Sequence, residues 1–215
     1  MSEVSNPIFD AVRQVVEGME LDLPDNTLPD PSLLSYYTFA MERKLFLEED
    51  VGFPIMDMIK LIMRWNQEDK DIPVEQRKPI TIYIMSDGGY MSYMWAMLDA
   101  MLTSKTPIVT VNIGVAASAA SLIYLAGSKR LMMPTATVII HEGSTEVAGD
   151  ANKVMDATRN YNKELAKMKE FILARTSIPS RMLNKKAKDD WYIDAATCLE
   201  YGLCHKVVES LDEIM

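Results

Sequence analysis

Apolar positions along the 215-residue chain follow two spacings in turn. Ile8, Val12, Val15, Val16 and Met19 recur at helical spacing and predict a short amphipathic helix. The stretch LDLPDNTLPDPS, residues 21–32, concentrates proline and aspartate and reads as a linker. Residues 1–35 are therefore expected to form an extension and linker, and residues 36–215 one domain. From Lys44 onward, short β-prone runs alternate with helical stretches. KLFL (Lys44 to Leu47), ITIYIM (Ile80 to Met85), PIVTVNI (Pro107 to Ile113) and ATVIIH (Ala136 to His141) predict strands. Pro54 to Trp65 and Tyr90 to Thr103 predict helices, and VAASAASLIYLAG predicts another, from Val115 to its stop at Gly127. Strands separated by helices of this length imply right-handed βαβ crossovers, hence an α/β fold with a largely parallel sheet.

After His141 the rhythm breaks. GSTEVAGD is polar and reads as a flexible connection to a long charged helix over Ala151 to Arg175. Val154, Leu165, Met168, Phe171 and Ile172 give that helix only an incomplete apolar stripe, so it is expected to project or to meet another subunit. Asp194 then predicts an N-cap, AATCLEYG a helix stopped by Gly202, and HKVV a last short strand.

Composition narrows the function classes. A net charge of −9 and a pI near 4.8 disfavour a nucleic-acid binder, which needs a basic surface to neutralise phosphates. No apolar run approaches the roughly 20 residues of a membrane span, and the acidic N-terminus lacks the basic and apolar regions of a secretory signal. A cytoplasmic protein is expected. Cys198 and Cys204 read as structural thiols of a reducing compartment. Their spacing fits no zinc pattern and the chain has 2 histidines, so no metal or other cofactor is expected.

In parallel sheets, ligands gather at the carboxyl ends of strands. Three predicted strand ends carry chemistry: SDGG at 86–89, GVAASAA at 114–120, and His141. Ser118 stands where a strand gives way to a helix, so free amides and the helix dipole can stabilise an oxyanion beside it. Such small-residue runs also serve tight helix packing. The segment is not G-x-S-x-G, which disfavours an ordinary α/β-hydrolase. An imidazole is the usual base for activating a hydroxyl, and His141 has better company than His205, which reads as structural. The paired glycines let a backbone amide point into a site, although glycine pairs also simply make turns. Among the nearby acids, capping accounts for Asp194, and spacing does not choose between Asp189 and Asp190.

Read in order, YIMSDGG (83–89), GVAASAA (114–120), VIIHEG (138–143) and CLEYGLCHKV (198–207) resemble the Clp protease proteolytic-subunit family. That family carries Y-I-N-S-P-G-G, G-x-A-A-S-M-G, I-M-I-H-Q-P and E-A-x-E-Y-G-L-x-D. ERKLFL (42–47) also looks like its early strand, so the resemblance runs from about Glu42 to Val208. It implies the ClpP/crotonase-like βαβ superhelix with a protruding handle helix over Ala151 to Arg175. It places Ser118 on the nucleophile, His141 on the base and Asp190 on the aspartate, with the amides of Gly88 and Ala119 as the oxyanion hole. It also implies polypeptide substrates, heptameric rings stacked as a tetradecamer, and an AAA+ unfoldase as partner, since the sequence has no Walker A motif.

Several positions depart from the family pattern. Asp87 replaces the proline of S-P-G-G, and Ala119-Ala120 replaces Met-Gly. Glu142-Gly143 replaces Gln-Pro beside the base, adding negative charge there, and Trp191 stands where an arginine usually pairs across the rings. The residues before Glu42 do not follow the family. Three other readings compete: a phage-type relative maturing capsid proteins, an acyl-CoA-binding crotonase, and an idle scaffold subunit of a mixed ring. The complete Ser/His/Asp set argues against the last two.

Overall fold

The computed structural model describes residues 31–214, and the helix predicted over Ile8 to Met19 lies outside them. The chain divides into two compact units between Arg43 and Lys44. In the first, helix α1 (Pro31–Met41) begins where the sequence reads as linker. It closes with the Glu42 and Arg43 amides donating to Phe39 O (3.0 Å) and Ala40 O (2.9 Å). Arg43, at φ 63°, turns the chain out of the helix in the left-handed conformation.

The second unit is mixed α/β, with a seven-stranded, mostly parallel sheet. In chain order it runs β1 (Lys44–Leu47), α2 (Ile55–Glu68), β2 (Ile80–Ser86), α3 (Met91–Thr103), β3 (Ile108–Ala117) and α4 (Ala119–Ala126). Then come β4 (Lys129–Met132), β5 (Thr137–Ile140), α5 (Ala151–Arg175), α6 (Ser180–Lys186), β6 (Trp191–Asp194), α7 (Ala195–Glu200) and β7 (Lys206–Val207). The main path is β1-β2-β3-β4-β7. A side branch leaves it, because β5 pairs with β3 and, antiparallel, with β6.

Branching requires β3 to change partners along its length. Val109 to Asn112 pair with β4, whereas Val115 to Ala117 pair with Thr137 to Ile139 of β5. The β2 register shifts between the same two halves, from Ile84↔Asn112 to Ser86↔Ala116. Buried Asn112 pins the bend: its Nδ2 donates to Thr137 O (2.9 Å) and its Oδ1 accepts from the Gly114 amide (3.1 Å). Residues 115–117 were expected to begin a helix. Instead they extend the strand, because the ladder to β5 overrides alanine's helix preference, the strongest of any residue but small in energy beside tertiary contacts. β4, β6 and α6 have no counterpart in the predicted elements. Each is only 4 to 7 residues long, too short for periodicity to register against its charged neighbours.

One face of the sheet is covered by helices whose apolar stripes supply the core. Ile55, Met58, Ile59, Ile62 and Trp65 of α2, with Met94, Met97, Leu98 and Met101 of α3, are buried at helical spacing. All residues of α4 are buried, as its sequence, apolar all round apart from Ser121, requires. α5 differs: Met168 and Ile172 are its buried residues, both in its C-terminal half. Cys198 and Cys204 are buried free thiols, held protonated because burial pushes both above the usual thiol range. No helix among the described residues is long and apolar enough to cross a membrane.

Two arginines close the C-terminal ends of helices beneath this core. Buried Arg130 donates from Nε to Leu203 O (2.8 Å) and from Nη2 to Gly202 O (2.9 Å) and Arg175 O (3.2 Å). Arg175 Nη2 donates to Ala126 O at 2.8 Å. The cations thus meet the negative ends of α4, α5 and α7 and satisfy carbonyls that no helical turn can reach. Arg130→Leu is expected to destabilise the protein by about 3 kcal/mol, the cost of orphaning several buried acceptors of a charged donor. Chemical denaturation would measure this as a lowered midpoint at unchanged slope.

Candidate active site

Ser118 occupies the single residue between β3 and α4, at φ 51° and ψ −123°. A non-glycine residue there is strained by roughly 1–3 kcal/mol, so the surrounding bonds must hold it. Its amide donates to Ile139 O of β5 (2.9 Å), and its carbonyl accepts from Ser121 N (3.0 Å) and Ser121 Oγ (2.6 Å). The G-x-S-x-G elbow uses a sharp strand-to-helix turn of this kind. Here Ala116 and Ala120, both at 0% exposure, occupy the flanking positions that glycines hold in that motif.

The SDGG loop packs directly on this turn. Gly88, at φ +106°, has no room for a side chain: an added Cβ would lie 2.7 Å from Ser118 Cβ and 2.8 Å from Ala117 O. Gly89 is equally tight against the Val51 backbone, with which it forms a β-bridge. The Gly88 amide donates to Ser86 Oγ at 3.2 Å, whereas Gly89, whose amide makes no hydrogen bond among the described residues, lines the cavity beside Ser118. Gly89 thus borders the cavity, while Gly88 packs against Ser118 and the Ala119 amide and sets how closely the loop approaches the serine. Ala119 opens α4, where no preceding turn uses its amide, and it lines the same cavity. Asp87 is exposed. Gly88→Ala is expected to cost about 2–4 kcal/mol through positive-φ strain and overpacking and to depress any Ser118-dependent activity. Thermal unfolding and turnover of the variant would measure both.

His141 follows directly on β5, and the antiparallel ladder of β5 with β6 fixes what stands opposite. Ile139 pairs with Tyr192 and Ile140 with Trp191, so the next rung faces His141 with Asp190. His141 Nδ1 lies 3.2 Å from Asp190 Oδ1. Asp189 is one residue out of step, and strand side chains alternate faces. With Nδ1 held by the carboxylate, Nε2 is the ring nitrogen available to take a proton. Ser118 and His141 line one cavity of about 150 Å³, and no hydrogen bond joins their side chains among the described residues. Trp191 packs half-buried against the main core. His205 lies elsewhere, its Nδ1 accepting from the Arg130 amide at 3.0 Å.

Glu142 does not present a bare charge to the imidazole: its Oε1 accepts from Lys169 Nζ of α5 at 2.8 Å. Tyr161 OH donates to Glu142 O at 2.8 Å. Burial, and secondarily the Glu142 carboxylate, hold that phenol above its usual pKa, which keeps the donating proton in place. Glu142 and the residues after it, Gly143 and Ser144, also line the cavity, and so do Tyr161 and Met168 of α5 with Met91 and Met94 of α3. The α3 and α5 wall residues carried no sequence signal of a site. Met168 was visible only as part of an apolar stripe, and nothing marked Tyr161.

A protein-family model described as Clp protease matches residues 33–211. An ATP-dependent Clp protease proteolytic subunit of Dehalococcoides mccartyi is 28% identical over 177 residues, covering 81% of this chain and 86% of that protein. The ATP-dependent Clp protease proteolytic subunit 2 of Treponema denticola is 32% identical over 139 residues, covering 64% of this chain and 70% of that protein.

Proposed function

The chain belongs to the Clp protease family, and we propose that it is a serine endopeptidase that cleaves unfolded polypeptides through an acyl-enzyme on Ser118. The single observation that carries this reading is the shared cavity of Ser118 and His141, with Asp190 held against the far ring nitrogen at 3.2 Å. Ser118 Oγ attacks the scissile carbonyl carbon while His141 Nε2 takes its proton. Amide nitrogens of Gly88 and Ala119, which lie against Ser118, receive the oxyanion. Collapse breaks the C–N bond, and His141 returns the proton to the leaving amine. Water, deprotonated by the same imidazole, then releases the acyl group and restores Ser118. Catalytic hydrogen bonds of this type are often long without substrate and tighten in the Michaelis complex.

As in its relatives' name, the subunit works with ATP-dependent machinery, an AAA+ unfoldase that feeds it, and assembles into stacked heptameric rings in the cytoplasm. The exposed N-terminal half of α5 supports a docking role for that helix, and two buried, protonated thiols suit a reducing compartment. A fluorophosphonate should label the native protein at one residue, mapped by mass spectrometry to Ser118, and short unfolded peptides should be cleaved without ATP. Unchanged labelling or cleavage in Ser118→Ala would overturn the assignment.

A further inference from the structure

We propose that Glu142, Lys169 and Tyr161 form a clamp that positions His141 from the long helix, which makes Lys169 a positioning residue for the reaction. The proposal rests on the reading of His141 as the base. His141 stands past the last residue of β5, and residues 142–149 beyond it have no regular structure. The adjoining Gly143 sits at φ +77°, a backbone that restrains its neighbour little. Yet every polar group of Glu142 is engaged. Its amide donates to Ala187 O at 2.7 Å, just ahead of the Asp190 segment. Its carbonyl accepts from Tyr161 OH and its carboxylate from Lys169 Nζ, each at 2.8 Å.

Tyr161 and Lys169 stand eight residues apart on α5, about 12 Å along the helix axis, and converge on this one residue from its two ends. The Lys169–Glu142 pair is shielded, each side chain being 30% exposed, so water screens it less than a fully exposed pair. Met168 and Leu165, next to and one turn before Lys169 on α5, are packed on the core, which gives the clamp a rigid base. Lys169 is not on the cavity wall, whereas Tyr161 and Met168 are. Lys169 therefore reaches the reaction through Glu142 and the backbone of His141, and it should govern turnover rather than substrate binding.

Lys169→Met is expected to lower kcat about ten- to a hundredfold, the cost of misplacing a catalytic group by a fraction of an ångström to 1 Å, with KM within about twofold. Lys169→Arg, which keeps the cation, should recover most of kcat. The chain has 2 histidines, so selective labelling at imidazole Cε1 gives an NMR readout independent of turnover. In Lys169→Met the His141 signal should shift or broaden while that of His205 stays in place. An unchanged His141 signal with unchanged kcat would overturn the clamp. A loss of kcat that Lys169→Arg does not recover would overturn it too. Should Ser118→Ala keep full turnover, the peptidase reading fails, and the His141 signal still tests the clamp on its own.

Discussion

Ser118→Ala is expected to lower kcat/KM for peptide hydrolysis by about 10⁴-fold or more while leaving the fold intact. Removing the nucleophile of a Ser/His/Asp unit abolishes the covalent route, and only the oxyanion donors and substrate positioning remain. The variant keeps the strained backbone, because alanine at φ 51° has the same steric conflict as serine. Its unfolding midpoint should therefore stay close to that of the native protein. Ser118→Gly separates the two effects. It is equally inactive, yet should gain about 1 kcal/mol because glycine occupies positive φ without penalty. Stability higher in Ser118→Gly than in Ser118→Ala would show that the site stores strain at its nucleophile. Equal stability would mean that the bonds to Ile139 O and from Ser121 fully accommodate the turn.

The second large effect concerns the acid. Asp190→Asn should reduce kcat about 10³-fold, because an amide holds the imidazole in the wrong tautomer and does not stabilise the imidazolium that forms. Asp189→Asn, one residue away and out of register with His141, should stay within about twofold, as surface substitutions away from a site usually do. Steady-state kinetics on the matched pair decide the matter. Equal losses would mean that the β5–β6 register does not select the partner, and a loss confined to Asp189→Asn would reverse the assignment. Since the Asp190 side chain is 55% exposed, added salt should weaken its electrostatic hold on the imidazolium more than it would for a buried pair.

The order of the main strands and helices was legible in the sequence because a parallel sheet covered by helices imposes long apolar runs and helical stripes. ITIYIM, PIVTVNI and the α2 and α3 stripes carry that signal on their own. The long helix over Ala151–Arg175 and the Asp194 cap, which accepts from the Thr197 amide at 2.8 Å, were equally visible, since local patterns determine both. Ser118 and His141 stood out as a chemical pair at strand ends. Resemblance, rather than spacing, singled out Asp190.

What the sequence by itself determined is therefore local: which runs extend, which coil, and which side chains bear chemistry. Tertiary structure decided everything that depends on a partner distant in the chain. The strand continues through Ala117 because β5 offers it a ladder, and that continuation forces Ser118 into its positive φ. Asp190 rather than Asp189 meets His141 because β6 runs antiparallel in one register, a choice that two adjacent aspartates do not encode locally. Gly88 packs on Ser118 while Gly89 faces the cavity, since the bridge to Val51 sets the roll of that loop. Glu142 next to the base reads in sequence as an added negative charge. In the fold it is paired with Lys169, twenty-seven residues on, and binds the base to the long helix.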